Sequence, residues 1–413
     1  MRVLVRCLTG ALMCSSVLLA QSPTSSWVTA WSTSQQSLGD AKITNATVRM
    51  IARVTVPGDA VRIRLDNAYG AEPVSIGRAF AGARIRNAAV AAGSNRPLTF
   101  AGSPSVVIPP GGSVWSDPVA LNVLAQQDLA ISLYIPGTSV RPSQHTAAAV
   151  TSYRSADGSG DVAAAEGGDA FKEATTSLWW LKAVDVQSAD AAGAIVAFGD
   201  SITDGTCSTL DAHDRWEDVV SVRLGLDYDA SVHQRTAKRG GLKAVVNEGI
   251  GGNTVTREGL APPADSTPGI ERFDRDVLSH HGVTDVVFFM GTNDIRRGAT
   301  AAAVIAGLTS MVQRAKAKNL HTIGVTIIPR HNVAPAGTNT GWDAAKTSIR
   351  NDVNQWIRTR APFDRVIDFD QAVRDSGNPD LLSPPFNCGD GIHPSPAGYY
   401  AMGKSVDLKV FHK

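Results

Sequence analysis

The sequence predicts two domains, an all-β sandwich or jelly roll followed by an α/β domain built on a parallel sheet. The chain has 413 residues, which is long for a single domain. Its first half alternates apolar and polar residues with a period of two, and its second half alternates short apolar runs with segments of helical spacing. We place a signal peptide at 1–20, the β-rich domain at 21–185 and the α/β domain at 186–413.

The N-terminus has the pattern of a secretory signal peptide. Arg2 and Arg6 supply positive charge, an apolar stretch follows to Ala20, and Gln21 begins a polar segment. The sequence therefore predicts a secreted or periplasmic protein. Leu18 is large for the position three residues before the cut, so the exact cleavage site is left open to within a few residues. The alternative reading of this segment is a buried N-terminal helix.

The period-two pattern is clearest in three runs of the first half, 48–56, 61–65 and 129–135. In the second run, Val61, Ile63 and Leu65 alternate with charged residues, as expected for a half-buried antiparallel strand. Turn residues at 57–59 and 109–112 separate such runs. Several short strands with turns between them indicate a sandwich or jelly roll.

The second half predicts alternating strands and helices, and therefore a parallel sheet with helices on both faces. The predicted strands are 194–198, 243–247, 285–290, 322–328 and 365–368, and the predicted helices are 215–224, 270–280, 299–318, 342–358 and 397–410. Ligands of such sheets bind beyond the carboxyl ends of the strands. Chemistry is therefore expected in the residues that follow each strand.

Composition excludes several classes of protein. The chain is 43% hydrophobic, which is enough for real cores, and its 39 basic residues nearly balance 38 acidic ones. A net charge of +1 gives no electrostatic reason to expect a nucleic-acid partner. No apolar run reaches the ~18 residues that span a bilayer, so no integral membrane segment is expected after signal cleavage. Oligomeric state is left open.

Four polar segments carry candidate chemistry, and three of them directly follow a predicted strand. They are 199–205, 247–254, 291–294 and 390–394. A serine at a strand-to-helix turn can expose its hydroxyl, although the first segment could equally be a turn with a helix N-cap. In the last segment, an aspartate three residues before a histidine can hold one ring nitrogen and leave the other free as a base.

In this order, the four segments resemble the four blocks of the SGNH/GDSL hydrolase family. The family positions match at Ser201, Gly252, Asn293 and His393. The resemblance extends over the whole mature chain. The chain is similar to secreted bacterial GDSL esterases that carry an N-terminal β-rich domain. The first block reads Gly-Asp-Ser-Ile rather than Gly-Asp-Ser-Leu, which is a core substitution. The resemblance implies a flavodoxin-like three-layer fold for the second domain.

The resemblance also implies the roles of the site residues. Ser201 would be the nucleophile, His393 the base, and Asp390 the group that orients the histidine. The oxyanion would be bound by the backbone N–H groups of Ser201 and Gly252 and by the side-chain amide of Asn293. No cofactor or metal is needed.

We therefore expect an exported serine ester hydrolase that cleaves carboxylic esters through an acyl-enzyme on Ser201. The substrate is a small-molecule or polysaccharide ester, with short-chain acyl or lipid esters and carbohydrate O-acetyl esters as the two candidate classes. The alternative is a non-catalytic glycan-binding protein on the same scaffold. The presence of Ser201, Asp390 and His393 together counts against that alternative, because a binding module has no use for all three.

Two cysteines remain after signal cleavage, Cys207 and Cys388. Cys207 lies six residues after Ser201, and Cys388 lies two residues before Asp390. If the triad forms, these segments must approach each other, and export makes a disulfide chemically reasonable. We predict a Cys207–Cys388 disulfide; the alternative is a pair of free buried thiols.

The remaining polar residues are expected to be structural. Asp200 and Asp204 should organise the turn around Ser201, and Asp294 should hold its own loop. His145 falls in the β-rich domain without a matching acid nearby. The pair Trp179–Trp180 could form a sugar platform, but core packing at the domain junction is the favoured reading.

Overall fold

A computed structural model of the chain describes residues 26–234, 240–330 and 342–412. The predicted signal peptide at 1–20 lies outside these ranges, so it stays a prediction. Within them, no helix has both the length and the apolar character needed to cross a membrane. The described chain is β-rich up to Ser188 and then alternates strands with helices.

The first half is made of strands joined by turns. They are β1 (Ser26–Ser32), β2 (Ser37–Leu38), β3 (Ala46–Val54), β4 (Gly58–Asp66), β5 (Val74–Ile76), β6 (Arg78–Arg86), β7 (Ala89–Val90), β8 (Arg96–Leu98), β9 (Val106–Ile108), β10 (Ser113–Trp115), β11 (Val119–Val123), β12 (Gln127–Ile135), β13 (Ser143–His145), β14 (Ser152–Arg154), β15 (Glu173–Thr175), β16 (Leu178–Trp179) and β17 (Leu181–Ser188). The three predicted period-two runs fall on β3, β4 and β12.

Two antiparallel sheets dominate this half. One has the order β1-β17-β4-β10 with β11 also on β4, and the other has the order β15-β14-β3-β12-β6-β7 with β8 also on β6. Within the second sheet, β12 pairs with β3 from Gln127 opposite Val54 to Ile135 opposite Ala46. Inward-facing residues of both sheets, such as Ile63 and Ile131, belong to one hydrophobic core. The predicted β-rich first half is confirmed.

The second half alternates strands and helices. Its elements are β18 (Ala191–Gly199), α1 (Ser201–Asp204), α2 (Trp216–His233), β19 (Leu242–Gly249), α3 (Gly269–Phe273) continued by a π-helical turn (Asp274–Leu278), β20 (Val283–Phe289), α4 (Thr292–Arg296), α5 (Ala301–Lys316), β21 (His321–Val325), α6 (Ala344–Thr359), β22 (Arg365–Ile367), α7 (Phe369–Val373), a 3₁₀ turn (Pro384–Phe386), α8 (Pro396–Ser405) and a second 3₁₀ turn (Leu408–Phe411).

The five strands of this half form one parallel sheet in the order β19-β18-β20-β21-β22. Numbered along the chain this is 2-1-3-4-5, the flavodoxin-like order. Along β18, Val196 and Phe198 pack into the core on one face, while Ile195 and Ala197 pack into the core on the other. Burial on both faces explains why the strand reads as a continuous apolar run. The predicted parallel sheet is confirmed.

The order of the sheet also locates the site. The chain leaves β18 for β19 on one side and later returns to β20 on the other side. A crevice therefore opens beyond the carboxyl end of β18, which is where a doubly wound sheet binds its ligand. The segment that begins at Asp200 follows that strand end directly.

Buried polar contacts join the two halves. Lys182 in β17 donates from Nζ to Glu248 at 2.8 Å and to Asp276 at 2.9 Å, and all three side chains are fully buried. The backbone N–H of Val245 in β19 donates to Thr55 Oγ1 at 3.0 Å. Replacing one of these charged partners would leave the other charge buried and unpaired, which costs several kcal/mol. The two halves therefore depend on each other for their buried contacts.

Candidate active site

Ser201 lies just beyond the carboxyl end of β18. β18 ends at Gly199, the side chain of Asp200 accepts a hydrogen bond from Ile202 N at 3.0 Å, and α1 begins at Ser201. Asp200 thus caps the turn as predicted. Burial raises the pKa of Asp200 to about 6. The capped turn holds the Ser201 side chain at the mouth of the crevice.

The structure brings the three predicted triad residues into hydrogen-bond contact. Ser201 Oγ lies 2.8 Å from His393 Nε2, and His393 Nδ1 lies 2.5 Å from Asp390 Oδ2. A carboxylate accepts hydrogen bonds, so Nδ1 of the neutral ring carries the hydrogen. Nε2 is then the acceptor for the serine hydroxyl, which is the arrangement a general base requires.

The backbone of its own loop stabilises the Asp390 carboxylate. Asp390 Oδ1 accepts the N–H groups of Ile392 and His393, each at 2.8 Å. Partial burial raises the pKa of Asp390, but the His393 contact and the two N–H donors outweigh this and bring it to about 2. The carboxylate therefore remains ionised throughout the neutral range and can stabilise a positive charge on the imidazole.

The predicted oxyanion-hole loop follows β19 and is built on glycines. At Gly249 a Cβ atom would come within 2.2 Å of the backbone nitrogen of Asp204, so only glycine permits this approach of the loop to α1. Gly252 has a φ of 72°, in the left-handed region. The sequence thus folds the loop tightly against the turn that carries Ser201.

Asn293 lies in the first turn of α4, after β20. Its Nδ2 donates to Asn253 O at 3.0 Å, and the side chain is buried. This bond uses one of the two amide hydrogens and fixes the orientation of the group. The second hydrogen can serve an oxyanion.

Asp294 holds the same loop from the other side, as predicted. Its carboxylate accepts Val255 N at 2.9 Å and Thr256 N at 3.1 Å. Burial raises the pKa of Asp294 to about 7. The contact ties α4 to the segment that follows Gly252, so two of the predicted oxyanion donors sit on linked elements.

The expectation that His145 has no acid near it is wrong. His145 Nε2 lies 3.0 Å from Asp204 Oδ1, although the two residues are separated by 59 positions and belong to different halves of the chain. Asp204 does more than organise its own turn, because its Oδ2 accepts Gly251 N at 2.9 Å. Neither contact has a signal in local spacing, so sequence reasoning could not have paired these residues.

The predicted Cys207–Cys388 disulfide is present, with the two Cα atoms 6.3 Å apart. Among the described residues, the cluster with metal-ligand spacing is formed by these two cysteines and Asp390. Both sulfurs are committed to the disulfide and Asp390 to His393, so this cluster offers no free thiolate to a metal.

The two tryptophans and His213 are structural. Trp179 and Trp180 are both buried in the core of the β-rich half, which confirms core packing rather than an exposed sugar platform. Burial lowers the pKa of His213 to about 4, and its Nε2 lies 3.8 Å from Asp128.

Residues 197–401 match the model of the GDSL-like lipase/acylhydrolase family. The match contains Ser201, Asp390 and His393 and the predicted oxyanion donors Gly252 and Asn293. No curated protein sequence matches the chain at a significant level.

Several solved structures are similar to about half of the chain. The M. smegmatis aryl esterase has 19% identity and a TM-score of 0.39, over 51% of this chain and 95% of its own. A carbohydrate acetylesterase from Sinorhizobium meliloti has 17% identity and a TM-score of 0.38, over 51% of this chain and 94% of its own. A member of the lipolytic G-D-S-L family from Veillonella parvula has 20% identity and a TM-score of 0.35, over 51% and 94%.

Proposed function

Since its C-terminal half belongs to the GDSL-like lipase/acylhydrolase family, we propose that this protein is a serine ester hydrolase that acts through an acyl-enzyme on Ser201. One observation carries the proposal. Ser201, His393 and Asp390 form a continuous hydrogen-bonded chain at the carboxyl end of β18, with separations of 2.8 Å and 2.5 Å.

The geometry supports a two-step reaction. As Ser201 Oγ attacks the ester carbonyl, its proton passes to His393 Nε2, and Asp390 stabilises the resulting imidazolium. The C–O bond to the alcohol then breaks, and the alcohol leaves with that proton. Water repeats the sequence on the acyl-enzyme, releases the carboxylic acid and regenerates the serine.

The negative charge that develops on the carbonyl oxygen needs preorganised donors. We assign this role to the backbone N–H groups of Ser201 and Gly252 and to the Asn293 amide. Asp294 links the loop that carries Gly252 to the helix that carries Asn293. The Asn293 amide is itself oriented by its hydrogen bond to Asn253 O. Fixed donors of this kind are commonly a large contribution to acyl transfer.

The proposed substrates are short-chain acyl esters or carbohydrate O-acetyl esters outside the cytoplasm. The predicted signal peptide supports export, and a disulfide is expected to persist in an oxidising compartment. The proposed domain boundaries are those of the sequence, 21–185 and 186–413.

A substrate panel tests the proposal. Wild-type protein, Ser201→Ala and a control variant, Ser105→Ala, would be assayed on p-nitrophenyl esters of increasing chain length and on acetylated xylan. Ser105 is an exposed serine of the β-rich half. We expect wild type and S105A to be equally active and S201A to be inactive. A wild-type protein that binds acetylated xylan but releases neither acetate nor nitrophenol would support a binding protein instead.

A further inference from the structure

Asp204 joins three parts of the molecule through one carboxylate. The residue ends the short helix that begins at Ser201. Its Oδ2 accepts Gly251 N at 2.9 Å, and its Oδ1 faces His145 Nε2 at 3.0 Å. The helix of the nucleophile, the loop of the oxyanion donor and a strand of the β-rich half therefore meet at this side chain.

The hydrogen-bond partners of His145 define its charge. His145 Nδ1 lies 2.8 Å from the carbonyl oxygen of Ser34, and a carbonyl can only accept, so Nδ1 carries a hydrogen. Nε2 faces the Asp204 carboxylate, which also accepts. Both nitrogens therefore act as donors, and the ring is an imidazolium paired with a carboxylate. Both side chains are buried, so the pair is shielded from solvent.

A second contact from the β-rich half reaches the end of β19, just before this loop. Ser34 Oγ donates to Glu248 Oε2 at 2.5 Å and accepts from Arg272 Nη1 at 2.9 Å. Arg272 in turn donates to Glu248 O at 2.9 Å and to Gly199 O at 2.9 Å. The backbone at the ends of β18 and β19 is thus fixed by a network that includes Ser34, whose carbonyl also orients His145.

We propose that His145 is a positioning residue of the active site, which acts through Asp204 to hold the Gly251–Gly252 backbone where the Gly252 N–H can bind the oxyanion. This inference rests on the proposed function. The β-rich half would then contribute to catalysis, because its His145 would help to position a donor of the oxyanion hole. Misplacement of a reacting group by about 1 Å can cost ~10²-fold in rate.

The variants are His145→Ala, which removes both donors, and His145→Gln, whose Nε2 can still donate to Asp204. The matched control is Ser221→Ala. It removes a different hydrogen bond between the halves, from Gln126 Nε2 to Ser221 Oγ at 2.7 Å, which lies on α2 and does not touch Asp204. A fluorophosphonate would titrate reactive serines, so that kcat refers to folded sites only.

We expect H145A to lower kcat per titrated site by about 10- to 100-fold with KM changed less than about threefold. H145Q should recover most of that loss, and S221A should keep the wild-type kcat. An alkylboronic acid, which forms a tetrahedral anionic adduct on a nucleophilic serine, should bind H145A more weakly by the same factor as kcat/KM falls.

Three results would overturn the inference. They are an unchanged kcat per site in H145A, an equal loss in S221A, or a loss confined to KM. If the wild type is active and H145A has an unchanged kcat per site, the proposed function stands and only the role of His145 is removed. A wild type with no ester turnover would overturn both.

Discussion

Cys388 is covalently bonded to Cys207, across 181 positions of the chain. Because Cys207 follows the Ser201 helix and Cys388 precedes Asp390, the bridge fastens the segment of the nucleophile to the segment of the base. The bond thus constrains the separation on which proton transfer depends.

Removing the bridge should lower both stability and activity. Chain-entropy arithmetic for a loop of this length gives about 5 kcal/mol, and losses of about 2–5 kcal/mol are typical. We expect Cys207→Ser to melt at a lower temperature than wild type and to be insensitive to a reductant that lowers the melting temperature of wild type. Two free thiols in denatured, unreduced mature protein, which keeps only Cys207 and Cys388, would contradict the bridge.

Replacing Asn293 with alanine should act on the transition state. The amide is already oriented by Asn253 O, so it is preorganised for the oxyanion. We expect kcat to fall by about 10²–10³ with little change in KM. The isosteric Asn293→Asp, which replaces the donor with an acceptor, should be at least as damaging. A raised KM at constant kcat would make Asn293 a substrate-binding residue instead.

Asp390→Asn should keep the local shape and lose the charge that the imidazolium needs. An amide can also turn its NH₂ group toward His393 Nδ1 and thereby impose the wrong tautomer. By analogy with serine triads, we expect kcat to fall by about 10⁴. Asp375→Asn, in a loop outside the site, is the control and should retain wild-type activity. Similar activities of the two variants would remove Asp390 from the triad.

The contact between His145 and Asp204 predicts a pH-dependent contribution to stability. Burial lowers the pKa of His145, but the charge and hydrogen bond of Asp204, the Ser34 carbonyl and the charge of Glu248 outweigh it, so the net pKa is raised. A histidine whose pKa is raised in the folded state contributes its full stabilisation at pH values below the ordinary histidine pKa of about 6.5. That stabilisation is lost as the pH rises through the folded-state pKa.

The difference in melting temperature between wild type and H145Q should therefore be largest below about pH 6.5 and should shrink as pH rises above it. Thermal melts of both proteins over this range measure the difference. A gap that widens with rising pH would mean that His145 is neutral in the folded protein.

Local patterns explain what the sequence could predict. The apolar run at 194–198 lies within β18, and the run at 285–290 overlaps β20 and passes its end by one residue. Both were recognisable because a strand buried on both faces leaves a continuous apolar signature. The spacing of Asp390 and His393 could be read because both lie on one loop, where the distance along the chain limits the distance in space.

Contacts between the halves left no comparable signature. The pairs His145–Asp204 and Lys182–Glu248 join residues that are 59 and 66 positions apart. A histidine or lysine within a strand gives no indication of which distant acid will neutralise it. Such partners meet only when the two halves of the chain pack together, so the sequence alone could not identify them.

The acyl-enzyme on Ser201 is the central claim, and trapping it is the most direct test. Wild-type protein and Ser201→Ala would be quenched during turnover of p-nitrophenyl acetate, digested and mapped by mass spectrometry. We expect one acetyl group on the wild-type peptide that contains Ser201, and none on S201A, whose kcat should be lower by about 10⁶ at an unchanged melting temperature. Acetylation of another residue in its place, or an S201A variant that keeps more than a few per cent of the activity, would contradict the assignment.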